Sequence, residues 1–364
     1  MLVHQKNYQT IWLKQEGLVQ VIDQRHLPFE FIIRDLLSLE DAWWAIREMV
    51  VRGAPLIGVT ASFGIYLGLM EDSGKAGWQQ RLQSSAEYLS SARPTAVNLA
   101  YALYRQLATL REAASLEQAR EMALATARQL KEQEKENCRL IGEYGMPLIR
   151  DLSKKKNGEP VNILTHCNAG WLATVDHGTA TAPIYLAHDQ GIPVHVWVDE
   201  TRPRNQGARL TAWELEQHGV PYTVVADNTG GLLMQKGMVD MVIVGSDRTT
   251  ANGDVANKIG TYLKALAARD NNIPFYAALP LSSIDMNLSD GIRDIPIEQR
   301  KEEEVKYIEG YSEGGLRKVL LTPQKCRVAN YGFDVTPAAY VTSLITEKGV
   351  CKPNKQDIEK LFQS

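Results

Sequence analysis

Hydrophobic and polar residues follow two different periods along the chain, and the change between them divides the sequence. Residues 11–35 alternate and turn in the manner of a small antiparallel sheet. Apolar residues then recur at helical spacing to about residue 153, interrupted at residues 92–95, and Ser38 with Asp41 resembles a helix-capping box. A polar turn at residues 154–158 ends this part of the chain.

Beyond this turn, short apolar runs alternate with segments of helix length, which is typical of βαβ units in a parallel sheet. The runs lie at residues 161–165, 194–198, 222–226, 241–244 and 275–279. We therefore expect an α/β protein of two domains. Residues 1–155 would form the small sheet and a mostly helical domain, and residues 156–364 a Rossmann-like parallel-sheet domain.

Composition and charge narrow the class of protein. The chain of 364 residues is 44% apolar and 23% charged, as is usual for a globular enzyme. Its net charge of −3, without a basic block, argues against a nucleic acid or a membrane surface as the main partner. Four scattered cysteines and the absence of a signal-peptide pattern favour reduced thiols in a cytoplasmic protein.

One uncharged stretch, residues 53–70, approaches the length of a membrane-spanning helix. It contains Pro55 and the polar Thr60, and no comparable stretch follows it. Helices that are apolar on all sides also occur in the cores of large proteins. We therefore expect a buried helix here.

Polar residues directly follow each predicted strand. They are His166-Cys167-Asn168, Asp199-Glu200-Thr201-Arg202, Asp227-Asn228, Ser246-Asp247-Arg248 and Ser282-Ser283-Ile284-Asp285. In open α/β sheets, ligands bind beyond the carboxyl ends of the strands. The sequence therefore predicts a ligand site at this edge of the sheet.

Cys167 is a candidate for thiol chemistry, since it follows a strand and precedes a segment that we expect to lead into a helix. The dipole of such a helix would lower the pKa of the thiol. The alternative is a small buried thiol without a chemical role. His166 should point to the opposite face of the extended chain, which argues against a Cys–His pair.

Asp247 is a candidate for acid–base chemistry, because partial burial in a cleft raises the pKa of a carboxyl group. A structural alternative applies to Asp254, which would cap a helix that we expect to begin near Val255. Asn257 and Lys258 would then lie on the first turns of that helix, within reach of a polyhydroxylated, anionic ligand.

Arg52 and Arg93 each lie at a helix break beside a proline, and arginine suits the geometry of phosphate. Surface salt bridges are the alternative role for both. The chain has no dinucleotide-binding or P-loop motif and no HExxH or clustered Cys/His set, so neither cofactor nor metal is expected. The residues thus favour an enzyme that acts on a small phosphorylated polyol.

Long motifs extend over nearly the whole chain. They are VRGAPLIG (51–58), ARPTAVNLAYAL (92–103), LTHCNAG (164–170), DETRPRNQGARLTAWEL (199–215), VGSDRTTANGDVANKIGTY (244–262), IPFYAALPLSSID (273–285), IPIEQR (295–300) and FDVTP (333–337). They resemble the methylthioribose-1-phosphate isomerases of methionine salvage. The broader family includes ribose-1,5-bisphosphate isomerases and the regulatory α, β and δ subunits of the translation-initiation guanine-nucleotide exchange factor.

The resemblance implies a homodimeric aldose–ketose isomerase that converts 5-methylthioribose 1-phosphate to 5-methylthioribulose 1-phosphate. It places Cys167 in the position of the catalytic cysteine and Asp247 in that of the proton-donating aspartate. The positions that match substrate-binding residues of the family are Arg52, Gly53, Ala54, Arg93, Gln206, Asn257 and Lys258.

The chain departs from the family pattern at Trp171, at residues 175–177, at Ser246 and Thr249-Thr250, and at Tyr331-Gly332. These departures leave 5-deoxyribose 1-phosphate open as the substrate, because a methylthio and a methyl group differ by only a few kcal/mol in an apolar pocket. Ribose 1,5-bisphosphate would require further cations for its second phosphate, and we can assign none. A regulatory subunit would not need Cys167 or Asp247.

Overall fold

The computed structural model describes residues 1–72, 77–93 and 96–363. They form an α/β protein with a small antiparallel sheet near the N-terminus, a helical layer and a large, mostly parallel sheet, which confirms the predicted fold class. The described helices are α1 (Leu39–Arg47), α2 (Ala54–Met70), α3 (Trp78–Ala92), α4 (Val97–Leu110), α5 (Leu116–Lys155), α6 (Ala182–Asp189), α7 (Ala212–His218), α8 (Thr229–Gln235), α9 (Thr261–Asp270), α10 (Gly291–Asp294), α11 (Glu303–Lys306) and α12 (Lys355–Gln363).

The described strands are β1 (Leu2–Val3), β2 (Lys6–Asn7), β3 (Ile11–Gln15), β4 (Leu18–Ile22), β5 (Ile33–Leu36), β6 (Val161–Thr165), β7 (Val194–Asp199), β8 (Tyr222–Val225), β9 (Met241–Val244), β10 (Arg248–Thr250), β11 (Val255–Lys258), β12 (Phe275–Ala278), β13 (Ile284–Asp285), β14 (Tyr307–Ser312), β15 (Gly315–Leu320), β16 (Phe333–Thr336), β17 (Ser343–Thr346) and β18 (Gly349–Cys351). Short 3₁₀ helices lie at Trp171–Ala173, Leu281–Ser283 and Ala338–Tyr340, and a π-helical turn at Gly207–Thr211.

The N-terminal part follows the predicted order. Strands β3, β4 and β5 pair as an antiparallel sheet. The capping box is confirmed at the start of α1, where the Ser38 hydroxyl oxygen accepts a hydrogen bond from the Asp41 backbone N–H at 3.0 Å. Pro55 lies in the first turn of α2, where its missing N–H leaves no intrahelical bond unmade.

Helix α2 is the uncharged stretch, and it lies in the protein core. All of its residues except Gly68 and Met70 are buried, and it packs against α1, α4 and α5. Burial on every side explains why its sequence shows no polar face. No helix within the described ranges is long and apolar enough to cross a membrane.

Helix α5 connects the helical layer to the large sheet. Its first half packs against α2 and α4, whereas its second half packs against α6, where Gly142 allows close approach of Ala182. The helix ends at Lys155, close to the predicted domain boundary. Ile141 and Ile149 nevertheless share one apolar cluster with residues of the sheet, so the division at residue 155 stays a prediction.

The large sheet of the described chain has the strand order β18-β17-β12-β9-β6-β7-β8, and all five predicted strands belong to it. Its neighbouring strands are parallel except for β17 and β18. The chain proceeds from β6 toward β7 and β8 on one side, and then through β9 and β12 on the other. This reversal makes the carboxyl ends of β6 and β9 a topological switch point, where ligands bind in open α/β sheets.

The helix expected near Val255 is absent from this stretch, and that prediction is wrong. The residues form β11, which pairs antiparallel with β10 on one side and with β16 on the other. Gly253, with a φ of +89°, makes the turn between β10 and β11 and donates its N–H to the Thr250 carbonyl at 2.9 Å. Pairing on both sides satisfies the backbone of β11 and overrides its local preference. The next helix, α9, begins at Thr261.

Asp254 therefore does not cap a helix at Val255. Its carboxylate accepts hydrogen bonds from the backbone N–H groups of Gly291 at 2.9 Å and of Ala338 at 2.8 Å. It thus holds two neighbouring loops against the β10–β11 turn. Asp254 thus has a structural role, as the alternative predicted, but it binds backbone N–H groups of Gly291 and Ala338 instead of those of a helix at Val255.

Candidate active site

One cavity lies at the switch point of the large sheet, and every residue predicted for the site lines it. The nine residues are Arg52, Gly53, Ala54, Arg93, Cys167, Gln206, Asp247, Asn257 and Lys258. Residues from the helical layer form one wall, and the carboxyl ends of β6 and β9, together with β11, form the other. The structure thus brings the nine predicted residues together at the predicted edge of the sheet.

Cys167 lies directly after β6 in a left-handed backbone conformation, with a φ of +67°. Its N–H donates to the Thr201 hydroxyl at 2.8 Å, and its carbonyl accepts from the Thr211 hydroxyl at 2.6 Å. The sulfur is 3.0 Å from Gln206 Oε1, which accepts the thiol proton. The Cys167 side chain is therefore fixed by contacts on the backbone and at the sulfur.

The expectation of a lowered pKa at Cys167 is wrong. The chain continues into a single 3₁₀ turn at Trp171–Ala173, and the next α-helix along the chain begins only at Ala182, so the helix expected directly after Cys167 is not there. Burial raises the pKa of the thiol, although the charges of Lys258 and Arg52 act in the opposite direction. The sulfur is therefore held as a neutral thiol.

His166 points away from the sulfur, as predicted. Its Nδ1 lies 2.9 Å from the Asp199 carboxylate, and its Nε2 lies 2.8 Å from the carbonyl of Ile259. Lys264 Nζ lies 3.1 Å from the same carboxylate. This buried network joins the end of β6 to the end of β7 and to the start of α9 directly behind the cavity.

His166, Asp199 and Asp227 bring possible metal-ligand atoms within 4.8 Å of one another. Protein groups occupy these atoms, however. Asp227 accepts the backbone N–H groups of Thr201 and Arg202 at 2.7 and 2.8 Å, and Lys264 already supplies a cation to Asp199. The arrangement is thus a network of hydrogen bonds and ion pairs, in which Asp199 Oδ1 alone has no hydrogen-bond partner among the described residues.

Asp247 follows β9, and its backbone N–H donates to the Ala256 carbonyl at 2.9 Å. Enclosure by the surrounding protein raises the pKa of its carboxyl group, while the nearby cations Lys258, Arg93 and Arg52 oppose that rise. The predicted direction of the pKa shift is confirmed. Asp247 therefore keeps its proton to a higher pH than an ordinary aspartate does.

Asn257 and Lys258 reach the cavity from β11 and not from a helix. Lys258 Nζ donates to the Gly332 carbonyl at 3.0 Å and lies 4.7 Å from the centre of the Phe333 ring. Burial lowers the pKa of Lys258, whereas the charges of Cys167 and Asp247 would raise it. Asn257 Nδ2 donates to the Thr261 hydroxyl at 3.1 Å.

The two arginines enter from the helical layer. Arg52 donates through both terminal nitrogens to Asn168, to its carbonyl at 3.1 Å and to its Oδ1. Arg93 ends α3 and lies 3.5 Å from the Glu298 carboxylate. Pro94 and Thr95, which complete the predicted helix break, lie outside the described residues.

The residues that depart from the family pattern lie outside the cavity lining, except for Ser246. Trp171 is fully buried, and its ring centre lies 6.1 Å from that of Trp213. Thr249 and Thr250 are buried in β10, where the Thr249 hydroxyl lies 2.9 Å from that of Ser246. The difference at Thr249-Thr250, which the sequence leaves unexplained, therefore affects the support of the Asp247 loop.

Asn168 and Glu214 are two residues of the site region to which the sequence analysis assigned no role. Asn168 lines the cavity and holds Arg52, and Glu214 binds Asn168 from behind. Both lie inside motifs quoted above, at residues 164–170 and 199–215. Charge and spacing alone give no sign that these two side chains meet.

The fold and the cavity define an α/β enzyme whose ligand site lies at the carboxyl edge of a parallel sheet. Comparison with known proteins is more specific: residues 50–353 match the model of the Initiation factor 2 subunit family, and the chain belongs to this family. A methylthioribose-1-phosphate isomerase from Methylorubrum populi is 56% identical over 364 residues, a match that covers 100% of this chain and 98% of the relative.

Two solved structures extend the comparison. A 5-methylthioribose 1-phosphate isomerase from Pyrococcus horikoshii OT3 has a TM-score of 0.84 at 40% identity, covering 98% of this chain and 96% of that chain. The delta subunit of translation initiation factor eIF-2B from A. fulgidus has a TM-score of 0.80 at 37% identity, covering 98% and 100%. The predicted family resemblance and the isomerase class are confirmed by these relatives.

Proposed function

We propose that this protein isomerises 5-methylthioribose 1-phosphate to 5-methylthioribulose 1-phosphate, a step of methionine salvage. The observation that carries the proposal is the convergence in one cavity of all nine residues matched to the family's site. Relatives that carry the isomerase name match the chain from end to end, which supports the same reaction here.

The substrate is an aldose whose anomeric oxygen carries phosphate, so no free aldehyde is available until the ring opens. Asp247, protonated, donates its proton to the ring oxygen, and the bond between C1 and that oxygen breaks. The hydrogen on C2 then moves to C1, and the C2 hydroxyl returns a proton to the Asp247 carboxylate. The product is a ketone at C2 with the phosphate still on C1, and Asp247 regains its initial state.

Arg52 and Arg93 are the proposed phosphate ligands. Two enclosed guanidinium groups in one wall of the cavity supply planar, charge-assisted hydrogen bonds to phosphate oxygens. Gln206, Asn257 and Lys258 present amide and ammonium groups to the sugar hydroxyls. Gly53 and Ala54 belong to the same loop as Arg52 and shape the backbone beside it.

Cys167 acts at C1 and C2 as a neutral group in this proposal. Its raised pKa and its hydrogen bond to Gln206 support a protonated thiol, which cannot serve as the base for an enediol intermediate. A direct hydride shift from C2 to C1 needs no such base. We therefore favour the hydride shift, with the thiol lining the path of the moving hydrogen.

Reaction in D2O separates the two routes. A direct hydride shift keeps the substrate hydrogen, so mass spectrometry and NMR of the product should find no deuterium on C1. Product kept without enzyme in the same solvent controls for later exchange. Deuterium on C1 that appears during turnover would reject the hydride shift and require a base in the site.

A partly apolar recess supports an uncharged group at C5 of the sugar. It adjoins the main cavity at Gly53, Ala54, Arg93, Asp247 and Phe333. Its remaining lining is Ile57, Ala96, Ala256, Ile295, Pro296 and Arg248, and the guanidinium group of Arg248 lies 3.7 Å from the Asp285 carboxylate. A thioether or a methyl group gains free energy by burial against the apolar part of this surface, whereas a second phosphate would lose hydration there and would meet an arginine that is already paired.

Comparison of kcat/KM for 5-methylthioribose 1-phosphate, 5-deoxyribose 1-phosphate and ribose 1,5-bisphosphate tests the substrate. We expect the methylthio substrate to be preferred over the deoxy sugar by about 10- to 100-fold, and the bisphosphate to be the poorest. Ile295→Ala should reduce the first preference, because it removes apolar surface from the recess. Ile292→Ala, at a side chain that is 68% exposed, is the matched control.

Equal or better turnover of the deoxy sugar would make 5-deoxyribose-1-phosphate isomerase the function. Preference for the bisphosphate would instead indicate a ribose-1,5-bisphosphate isomerase. Absence of turnover with all three sugars would favour a protein that acts through protein–protein contact, as a regulatory subunit does. The similarity between the fold of this chain and that of the delta subunit is the reason to test this alternative.

We also propose a homodimer in the cytoplasm, on the strength of the resemblance and of the scattered, free cysteines. Light scattering coupled to size-exclusion chromatography measures the mass directly. A mass of twice the 40.6 kDa chain is expected, and a peak at the mass of one chain would contradict the homodimer.

A further inference from the structure

Glu214 is a buried carboxylate close to the cavity that the proposed reaction does not use. It lies on α7 and is 0% exposed. Its two oxygens accept four hydrogen bonds, and each partner is a protein donor. The donors are Asn168 Nδ2 at 3.0 Å, Leu172 N–H at 2.8 Å, Trp171 N–H at 3.1 Å and the Tyr185 hydroxyl at 3.0 Å. Because three of these donors belong to the loop that follows Cys167, the carboxylate holds that loop in place.

Asn168 connects this carboxylate to Arg52. A carboxylate only accepts hydrogen bonds, so the Asn168 amide must present its NH2 group to Glu214. Its Oδ1 therefore faces the other way, where Arg52 donates to it, and the Asn168 carbonyl accepts a second Arg52 hydrogen bond at 3.1 Å. The orientation of the amide, and with it the position of the Arg52 guanidinium, follows from the acceptor oxygen that Glu214 presents to Asn168.

Thr211 fixes the Asn168 side-chain amide in the same orientation. Its hydroxyl donates to the Cys167 carbonyl at 2.6 Å, so its oxygen can only accept from Asn168 Nδ2, which lies at 3.1 Å. Both acceptors of the Asn168 NH2 group thus lie on one side of the amide. The same contacts tie the backbone of Cys167 to the residue that holds Arg52.

Arg52 needs such support because it carries a charge in an enclosed position. It is 6% exposed, burial lowers its pKa, and its Nε has no hydrogen-bond partner among the described residues. Its hydrogen bonds to Asn168 use both terminal nitrogens. Gly170 lies against the Glu214 carboxylate so closely that any side chain at that position would collide with it. The loop is therefore built around this carboxylate.

We propose that Glu214 is a positioning residue, which acts through Asn168 to hold the Arg52 guanidinium in the orientation that binds the substrate phosphate. This proposal rests on the proposed function, in which Arg52 is a phosphate ligand. Glu214 itself does not line the cavity and touches neither substrate nor reacting atoms.

Three variants test the proposal. Glu214→Ala removes one of the two acceptors of the Asn168 NH2 group and leaves only Thr211, so the Asn168 amide is held less firmly. Glu214→Gln keeps an oxygen within reach of Asn168 and should restore most of the function. Tyr185→Phe is the matched control, because it removes one hydrogen bond to Glu214 on the side away from Arg52 and leaves the Asn168 link intact.

The measurements are kcat and KM for 5-methylthioribose 1-phosphate, the inhibition constant of inorganic phosphate, and the melting temperature. For Glu214→Ala we expect KM and the phosphate inhibition constant to rise together, each by about tenfold or more, with a smaller change in kcat. Glu214→Gln should lie closer to the wild type in both constants. Tyr185→Phe should change the melting temperature only.

Glu214→Ala with both constants within twofold of the wild type would overturn the proposal, whatever its melting temperature. If that variant fails to fold, Glu214→Asp answers the same question, since it keeps the charge but withdraws the carboxylate by one methylene from Asn168. Unchanged constants in Glu214→Asp would equally overturn the role. A wild-type protein that turns over none of the three sugar phosphates would refute the proposed function instead, and the two failures are thus distinguishable.

Discussion

At the scale of single residues, burial sets the chemistry of the site. It raises the pKa of both Cys167 and Asp247 and lowers that of Lys258, even though these groups lie near one another's charges. The desolvation of each group therefore outweighs its attraction to its neighbours. A neutral thiol and a carboxyl group that keeps its proton to a higher pH than an ordinary aspartate are the result, and both suit a reaction that begins with protonation of a ring oxygen.

The pH profile of kcat follows from the raised pKa of Asp247. The group works as an acid, so activity requires its proton and falls as the pH rises through that pKa. Because enclosure moves this pKa upward, the activity persists to a higher pH than an ordinary aspartate would allow. An activity that instead rises with pH over the same range, following deprotonation of Asp247, would contradict its role as the acid.

Asp247→Asn should lower kcat by about 10²- to 10⁴-fold, and Cys167→Ser should also lower it, both without unfolding the protein. The first removes the proton donor, and the second replaces the sulfur beside C1 and C2. Asp189→Asn is a suitable control, because Asp189 has a 56% exposed side chain and lies outside the cavity lining. Near-normal turnover in either site variant, with circular dichroism confirming the fold, would remove that residue from the mechanism.

The sequence located these residues but misjudged the environment of one of them. The position of Cys167 after a strand is readable from the apolar run that precedes it. The prediction of a lowered pKa assumed that a helix follows directly, whereas the chain first makes the 3₁₀ turn that Glu214 stabilises. That stabilising contact spans more than forty residues, and no local pattern reveals it.

At the scale of elements, the strands of the large sheet were predictable because they are short apolar runs. At β11 a helix was predicted instead, because pairing with strands elsewhere in the chain determines the structure there. The strands β6, β7, β9 and β12 are short apolar runs between helices, which is a strong signal. Residues 255–258 carry no such signal, because their partners β10 and β16 satisfy the backbone, and β16 lies far along the sequence. Asn257 and Lys258 nevertheless line the predicted cavity, because they are the last two residues of β11 and that end of the strand lies at the cavity.

Gly53 shows how one backbone position sets the start of an element. It precedes α2 with a φ of +90°, and a Cβ there would collide with the backbone of Ala173 across the cavity wall. Gly53→Ala should therefore destabilise the protein by about 1–3 kcal/mol from backbone strain alone, and displace Arg52 and Ala54. Thermal unfolding and KM for the substrate measure the two effects.

Gly77 offers the matched control for that substitution. It also precedes a helix, α3, with a φ of +101°, but a Cβ there would meet no atom of the described residues within 4 Å. Gly77→Ala should cost only the backbone strain and leave KM unchanged. If both alanine variants lower stability equally and neither alters KM, the close packing of Gly53 against Ala173 has no role in the site.

At the scale of the whole molecule, the reversal of strand order collects residues from distant parts of the sequence into one cavity. Strands β6 and β9 are neighbours although the chain builds β7 and β8 between them, so Cys167 and Asp247 face a common space. The general rule for open sheets predicts a site at such an edge. It does not predict which helices cover it, and the arginines from the helical layer were assigned by family resemblance.

The packing of α5 against the large sheet also buries an acidic side chain, Glu134, in the middle of the helix. Its side chain is buried where α5 meets the turn after β12, and Ser282 donates to its Oε1 at 3.4 Å. Its Oε2 has no hydrogen-bond partner among the described residues. Burial, together with the negative charge of Glu347, raises the pKa of Glu134 to about 8. The carboxyl group is therefore protonated in the folded protein at neutral pH.

This pKa makes the stability of the folded protein depend on pH in a definite direction. Between the ordinary pKa of a glutamate and a pKa of about 8, the folded state binds more protons at Glu134 than the unfolded state does. The free energy of unfolding therefore falls as the pH rises through this range, by at most about 1.4 kcal/mol per pH unit from this residue. Glu347, whose pKa burial also raises, adds to the slope in the same direction.

Glu134→Gln should flatten this dependence, because the amide carries no charge at any pH in the range. Urea unfolding at several pH values between 5 and 9 should show similar stability of the variant and the wild type at the acid end. At the alkaline end the variant should be the more stable of the two. Glu132→Gln, at an exposed position on the same helix, should run parallel to the wild type. Parallel curves for Glu134→Gln would instead mean that the carboxyl group is charged in the folded protein and that water or a cation compensates it.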